Sequence, residues 1–185
     1  HGEGVVSLLD EIDVDALIMP AREEQGELHK QLLQAAYDNR TAVHYTAKGD
    51  KIAIENGCTI DILSPDIESM NKKIYNENNA SLVLKLLYGS NSFLFTGDIE
   101  RETEKYLVET YGDSLDVDVL KVAHHGSDTS TGQEFLNKTL PEYAAISVGR
   151  NNFGHPSPEV LDRLARLNVM LYRTDINGTI TFIAD

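Results

Sequence analysis

Two short stretches of this chain carry the residue types from which a metal-assisted hydrolytic site is built. Phe93-Leu-Phe-Thr-Gly-Asp98 is an apolar run ending in a carboxylate, and Val119-Leu-Lys-Val-Ala-His-His-Gly-Ser127 is one ending in two imidazoles. Strand ends are rigid, so an Asp on one and a His on the next converge at little cost in ordering entropy. An ionised carboxylate bridges divalent ions well, and such ions lower the pKa of a water they share. Gly97 lets the backbone before the carboxylate pass close to a ligand. The competing reading of Asp98 is a cap for a helix starting near Glu100. Adjacent residues at the end of a strand point to opposite sides, so at most one of His124 and His125 faces a given ion. Gly126 and Ser127 then open a turn whose N–H groups and hydroxyls, with Thr129 and Ser130, are suited to an oxyanion or phosphate.

Asn151-Asn-Phe-Gly-His-Pro156 follows a strand, where α/β enzymes place functional loops. His155 sits there between Gly154 and Pro156 and could protonate a leaving group or contact a phosphate; the alternative is a solvated loop histidine. Asn79 and Ser81 flank the start of the strand next to that of Asp98, within reach of the same rim as substrate contacts. His29 falls on the polar face of a charged helix and His44 in mid-strand, so neither reads as a ligand.

The elements that must position these groups alternate along the chain. Val5 to Ile12 and Glu23 to Asp38 have helical apolar spacing, with Ala16 to Met19 and Thr41 to Thr46 as strands. Lys51 to Leu63 alternates apolar and polar residues. Asp66 to Asn79 reads as a polar loop, and Ser81 to Tyr88 with Ser92 to Thr96 as a hairpin. Helices are expected over Arg101–Tyr111, Gly132–Lys138 and Pro158–Leu167, the last with proline in its first turn. Strands are expected over Val117–Ala123 and Ala144–Val148. Val169–Arg173 and Thr179–Ile183 read as paired strands around the turn Asp175-Ile-Asn-Gly178. Hairpins mixed with β-α steps predict an α/β fold with a mixed sheet in one unit.

The chain has 185 residues, 41% of them hydrophobic, which is enough for one domain with a core. With 30 acidic against 16 basic residues, its net charge is −14, which opposes nonspecific binding of a phosphate backbone. The single Cys58 excludes an internal disulfide and a cysteine-rich zinc site. No apolar run approaches a membrane span, and no signal peptide is visible.

Taken in order, Asn78-Asn-Ala-Ser-Leu-Val-Leu84, Phe93 to Ile99, Val119 to Ser127, Asn151 to Pro156, Tyr172-Arg-Thr-Asp175 and Gly178-Thr-Ile180 resemble the metallo-β-lactamase-like domain of ComEC-type competence proteins. The resemblance spans residues 76 to 185. It implies an αββα sandwich, a metal-bridging role for Asp98, and a metal-binding role for His124 or His125. It also implies two divalent ions, zinc or manganese, and hydrolysis of phosphodiester bonds in DNA during uptake, with a membrane channel portion in a longer protein and exposure on the outer side of the cell membrane. The chain itself is expected to make no membrane contact.

The superfamily's main metal motif is His-Xaa-His-Xaa-Asp-His. Here His1, followed by Gly2-Glu3-Gly4 and a helix, looks like its last histidine, so the resemblance implies an N-terminally truncated domain with most of the motif missing. His1 is then a metal ligand with Asp98 and His125 (or His124), while His155 and Ser127 contact substrate. The alternatives are a free-standing hydrolase of small phosphoesters, or a domain that keeps the fold without catalysis. A catalytic zinc needs three protein ligands, and this donor set falls short for two ions. The chain by itself is therefore expected to bind metal weakly and to be poorly active. Calorimetry should show no tight site for zinc or manganese; two tightly bound ions per chain would contradict it.

Overall fold

The computed structural model describes residues 2–21, 26–66 and 77–184. Two compact units, residues 1–47 and 48–185, make up the chain. His1, Glu23 to Gln25 and most of the expected polar loop lie outside the described residues.

The first unit runs α1 (Gly2–Glu11), β1 (Ala16–Pro20), α2 (Glu27–Asp38) and β2 (Ala42–Thr46). β1 and β2 pair in parallel, with Ala16 opposite Ala42. The apolar stripes expected from helical spacing close on a small core of Leu9, Ala35 and Ala36, against which Val5, Leu17 and Val43 pack. His29 lies 6.3 Å from the Tyr45 ring, and His44 is exposed on β2.

The second unit holds a seven-stranded mixed sheet. Its strands are β3 (Lys51–Ala53), β4 (Thr59–Ser64), β5 (Val83–Tyr88), β6 (Asn91–Phe95), β7 (Val119–Lys121), β8 (Tyr143–Ile146) and β9 (Met170–Arg173), in that spatial order. β3 to β6 are antiparallel, with hairpins joining β3 to β4 and β5 to β6, and β6 to β9 are parallel. The parallel part needs crossovers, which α3 (Arg101–Tyr111), α4 (Gln133–Thr139) and α5 (Pro158–Arg166) supply. Strand alternation sends Leu94, Leu120, Ala144 and Ile146 into one fully buried cluster with Leu107, Leu136, Val160 and Leu164 of those helices. The expected mixed α/β sheet is the observed one.

The end of the chain differs from expectation. β9 pairs with β8 in parallel, α6 (Thr174–Asn177) follows as a single turn, and residues 179–184 form no strand. Thr174 is the reason: its Oγ1 donates to the Val148 carbonyl at 2.7 Å and accepts from the Val148 N–H at 2.8 Å. Asn177 Oδ1 accepts from the Arg173 N–H, closing the helical turn where a hairpin was expected. Phe182 instead meets Phe93, Tyr143 and Tyr172 edge-on at centroid distances of 6.1–6.4 Å.

Two glycines are forced by close approach at the sheet's functional edge. Gly97 has φ +55°, and a Cβ there would lie 2.7 Å from Ser81 Cβ. Gly126 has φ +79°, and its Cβ would lie 2.6 Å from Pro156 Cβ. Gly178, at φ +70°, meets nothing within 4 Å. Gly97→Ala and Gly126→Ala should each destabilise by more than the left-handed backbone alone costs an L-residue, about 1–2 kcal/mol, because overpacking adds to it. Gly178→Ala meets no steric clash but carries a backbone cost of its own, since ψ −137° lies outside the left-handed well; denaturant unfolding of the Gly97 and Gly126 variants checks the prediction.

Candidate metal and active site

β6 and β7 lie side by side in parallel, Phe95 opposite Lys121, so their C-terminal ends emerge together. Thr96 is fully buried, and its hydroxyl donates to the Lys121 carbonyl at 2.6 Å. One residue on, the His124 N–H donates to the Gly97 carbonyl at 3.0 Å. The two loops are thereby fixed against each other, once through the Thr96 side chain and once through backbone groups alone.

The histidine pair is not on the strand, which stops at Lys121. His124 (φ 47°, ψ 42°) and His125 (φ 55°, ψ 21°) are both left-handed, and Gly126 follows with φ 79°. Two successive strained non-glycine residues persist only where surrounding structure over-determines them, and such strain clusters at functional sites. The alternation expected of an extended strand therefore does not apply, yet the imidazoles still diverge, with ring planes 64° apart.

His125 turns to Asp98, its Nε2 lying 3.7 Å from the carboxylate Oδ1. Its Nδ1 is within hydrogen-bond distance of the Ser147 carbonyl on the adjoining loop. A carbonyl only accepts, so in the neutral ring Nδ1 carries the proton and Nε2 presents its lone pair toward Asp98. His124 turns the other way, its Nδ1 3.6 Å from Glu100 Oε1. That nitrogen is buried without a hydrogen-bond partner. Imidazole nitrogens facing carboxylates, one of them orphaned, form a donor set suited to a divalent cation. Among the described residues, however, no three His, Cys, Asp or Glu side chains form a group able to hold one. The fit is thus that of part of a coordination sphere.

His155 joins the same edge, its ring centroid 5.7 Å from that of His124. Burial, followed by the neighbouring imidazoles of His124 and His125, holds its pKa below the 6.5 of a free imidazole. At pH 7 His155 is then neutral, better suited to accept a proton or to hydrogen-bond than to act as the charged acid expected from the sequence. Asn151 fixes its loop: the Asn151 amide donates to the Gly149 and His155 carbonyls, and its Oδ1 accepts from the Phe153 and His155 N–H groups.

Comparison with known proteins places this geometry. No protein-family model matches the chain. ComE operon protein 3 of Bacillus subtilis is 37% identical over 95% of the chain and 22% of its own length. Competence protein ComA of Neisseria gonorrhoeae is 37% identical over 69% of the chain and 18% of its length. Recombination protein 2 of Haemophilus influenzae is 32% identical over 97% and 20% respectively. The chain is homologous to ComEC-type competence proteins. It spans about a fifth of the length of these curated relatives.

Solved structures fix the fold of this ComEC-type homologue. CmlA, a diiron β-hydroxylase from Streptomyces venezuelae, superposes with a TM-score of 0.51 at 10% identity, covering 86% of the chain and 38% of CmlA. A protein of Parabacteroides distasonis assigned as a metal-dependent hydrolase gives 0.51 at 12%, covering 89% and 78%. Identities this low carry the fold alone, and that fold is the metallo-β-lactamase-like α/β class expected from the motifs.

The remaining expected site residues are placed differently from one another. Ser81 Oγ accepts from the Asp98 backbone N–H at 3.1 Å, holding the Asp98 main chain in the turn. Asn79 is buried, and its Oδ1 accepts from the Glu100 N–H at 2.8 Å and the Thr103 hydroxyl at 3.0 Å. It thus does for α3 what Asp98 was weighed as doing. The helix's own N-cap, Glu100, makes no side-chain cap bond. Ser127 is buried, with its hydroxyl 3.0 Å from that of Thr129, and Ser130 donates to the Ala123 and Ser127 carbonyls. These hydroxyls hold the turn. His1 lies outside the described residues.

Sequence reasoning missed three supporting residues. Glu104, buried on α3, accepts hydrogen bonds from the Thr131 and Gly132 N–H groups. Burial pushes its carboxyl pKa up, opposed by those two bonds and then by Arg101 and Arg163. Arg163 donates to the Ser130 and Thr131 carbonyls, so an acid and a base clamp the loop that follows the histidines. Asn151 is the third: its stretch reads as a site candidate, but its own role in holding that loop was missed. A charged residue in an acidic helix gives no sequence signal that it turns inward, whereas an Asn in a Gly-containing loop does.

The depressed His155 pKa generates a prediction of direction. An NMR titration of the His155 ring should give a midpoint below 6.5. In His124→Ala the midpoint should rise, since one repelling imidazole and part of the burial are gone; a fall or no change would contradict the stated cause.

Proposed function

We propose that this chain is a metal-dependent hydrolase domain acting on phosphodiester bonds, with DNA handled during competence as its substrate. The single observation carrying the reading is the Asp98–His125 pair, 3.7 Å apart, with His125 oriented by Ser147 so that Nε2 faces the carboxylate. The homologues' names speak of competence and recombination, which supports DNA as the polymer. Asp98 and His125 would hold a divalent cation, with His124 and Glu100 as a second donor pair. When bound, such ions supply a hydroxide at neutral pH and Lewis-acid polarisation of the phosphoryl group. Zinc and manganese both suit this mixed imidazole and carboxylate set.

The chain's own residues do the rest. Ser81 and the Gly97 turn hold Asp98 in place, and Ser147 fixes the His125 tautomer. His155, neutral at pH 7, accepts a hydrogen bond or a proton from the attacking water. No helix among the described residues is long and apolar enough to cross a membrane. Work at a membrane channel therefore depends on other parts of a longer protein.

The net charge of −14 favours a second reading, hydrolysis of a small phosphoester, because an acidic surface repels a long polyanion. Hydrolysis of single-stranded DNA and of a chromogenic phosphodiester, measured side by side with manganese and with zinc, separates the two. Asp98→Ala and His125→Ala should each lower hydrolysis by at least about 100-fold, beyond what loss of a merely supporting group causes. Paramagnetic broadening by manganese should fall on the His125 ring in the wild type and vanish in Asp98→Ala. Manganese that broadens no histidine of this edge, or variants that hydrolyse as the wild type does, would overturn the reading.

A further inference from the structure

An exposed aromatic stands directly outside the site. Phe153 is 82% exposed, on a loop pinned by four hydrogen bonds to Asn151. Its ring lies nearly parallel to that of His155, 22° apart with centroids at 5.9 Å. His155 in turn meets His124, whose neighbour His125 faces Asp98. Three rings thus step outward from the candidate hydrolytic pair to solvent, and the outermost presents an open aromatic face. Leaving a phenylalanine so exposed on a fixed loop forgoes the burial free energy of a large side chain, a loss that contact with a ligand restores.

We propose that Phe153 is a stacking platform for an unpaired nucleobase, so that the site selects single-stranded over double-stranded nucleic acid. The inference rests on the phosphodiester reading above and deepens it by naming a substrate class. Its physical reason is the charge of the chain. With a net charge of −14, counterion release from basic side chains offers little affinity for a phosphate backbone. Stacking of a base on an aromatic face does not depend on charge and accepts any base. A duplex keeps its base faces inside the helical stack, so only an unpaired strand can offer one to Phe153. The neighbouring His155 and His124 rings connect Phe153 to the edge where Asp98 and His125 meet, so the backbone of a base stacked on Phe153 would be directed toward that edge. Phe153 is a positioning residue in this scheme and touches none of the reacting atoms.

The test uses the absence of tryptophan from the chain. Phe153→Trp installs a single indole fluorophore at the platform. Binding is measured in EDTA, free of hydrolysis, with short oligonucleotides of single-stranded, duplex and abasic form. Single strands should quench the indole emission of that variant, while duplex of the same sequence should not. Phe153→Ala should weaken single-strand binding about 5- to 100-fold, the range of one base–aromatic stack, and leave the weaker binding of abasic strands where it was. Equal single-strand affinity in Phe153→Ala and wild type, or equal quenching by duplex, would overturn the proposal. A stacking signal without phosphodiester hydrolysis would sink the hydrolase reading alone. Hydrolysis that persists while Phe153→Ala binds single strands as wild type does would sink the stacking alone.

Discussion

The contact on which the site rests is a backbone hydrogen bond, from the His124 N–H to the Gly97 carbonyl. It joins the loops leaving two parallel neighbouring strands, just past the ends of β6 and β7. Parallel pairing brings two chain ends to the same edge at the spacing of adjacent strands, about 4.8 Å. At that spacing a carboxylate and an imidazole face each other only if both loops turn inward. The left-handed geometry at Gly97, His124, His125 and Gly126 makes them do so. Glycine adopts it freely, while the two histidines are held in it by the sheet behind them and by Pro156 against Gly126.

Strain of this kind needs a stiff surround, and the second unit supplies one through buried polar groups as well as the apolar core. Asn79, on the turn that leads into β5, ties the start of α3 to the hairpin that carries Asp98. Glu104, one turn into the same helix, holds the loop beyond the histidines, and Arg163 from α5 holds it from the other side. A buried carboxylate is costly unless hydrogen-bonded to donors that would otherwise be orphaned. Here both accepting oxygens meet backbone N–H groups, so each side satisfies the other. Ser127 and Ser130 complete the turn internally.

Electrostatics around the edge are dominated by negative charge. Asp98 and Glu100 face the histidines, and Lys121, whose ammonium donates to the Val122 carbonyl, has its pKa lowered by burial with Asp98 opposing that shift. A site with this balance attracts cations and repels anions. Bound cations would reverse the local field, which would reconcile an acidic chain with the phosphodiester substrate proposed above. On the stacking proposal, the exposed Phe153 ring would add affinity that does not depend on charge.

The sequence alone determined the alternation of helices and strands in the second unit, because apolar spacing there is strongly periodic and every crossover helix presents one stripe. It also singled out Asp98, His124, His125 and His155, since each follows an apolar run that ends in glycine or a tight turn. It did not reveal which histidine meets Asp98. A strand-based argument expects divergence from alternation, whereas the divergence arises from two left-handed residues that no local rule foretells. Nor did it foresee that Asn79 serves the start of α3 in place of Asp98, because a cap arriving from more than twenty residues away leaves no local signal and only the fold decides which oxygen arrives. The chain's end went the same way: Asp-Ile-Asn-Gly is a sound turn signal, but a threonine hydroxyl reaching the neighbouring loop outweighed it. Local sequence fixes what a residue can do; long-range backbone hydrogen bonds and buried side-chain partners, invisible at short spacing, decide what it does.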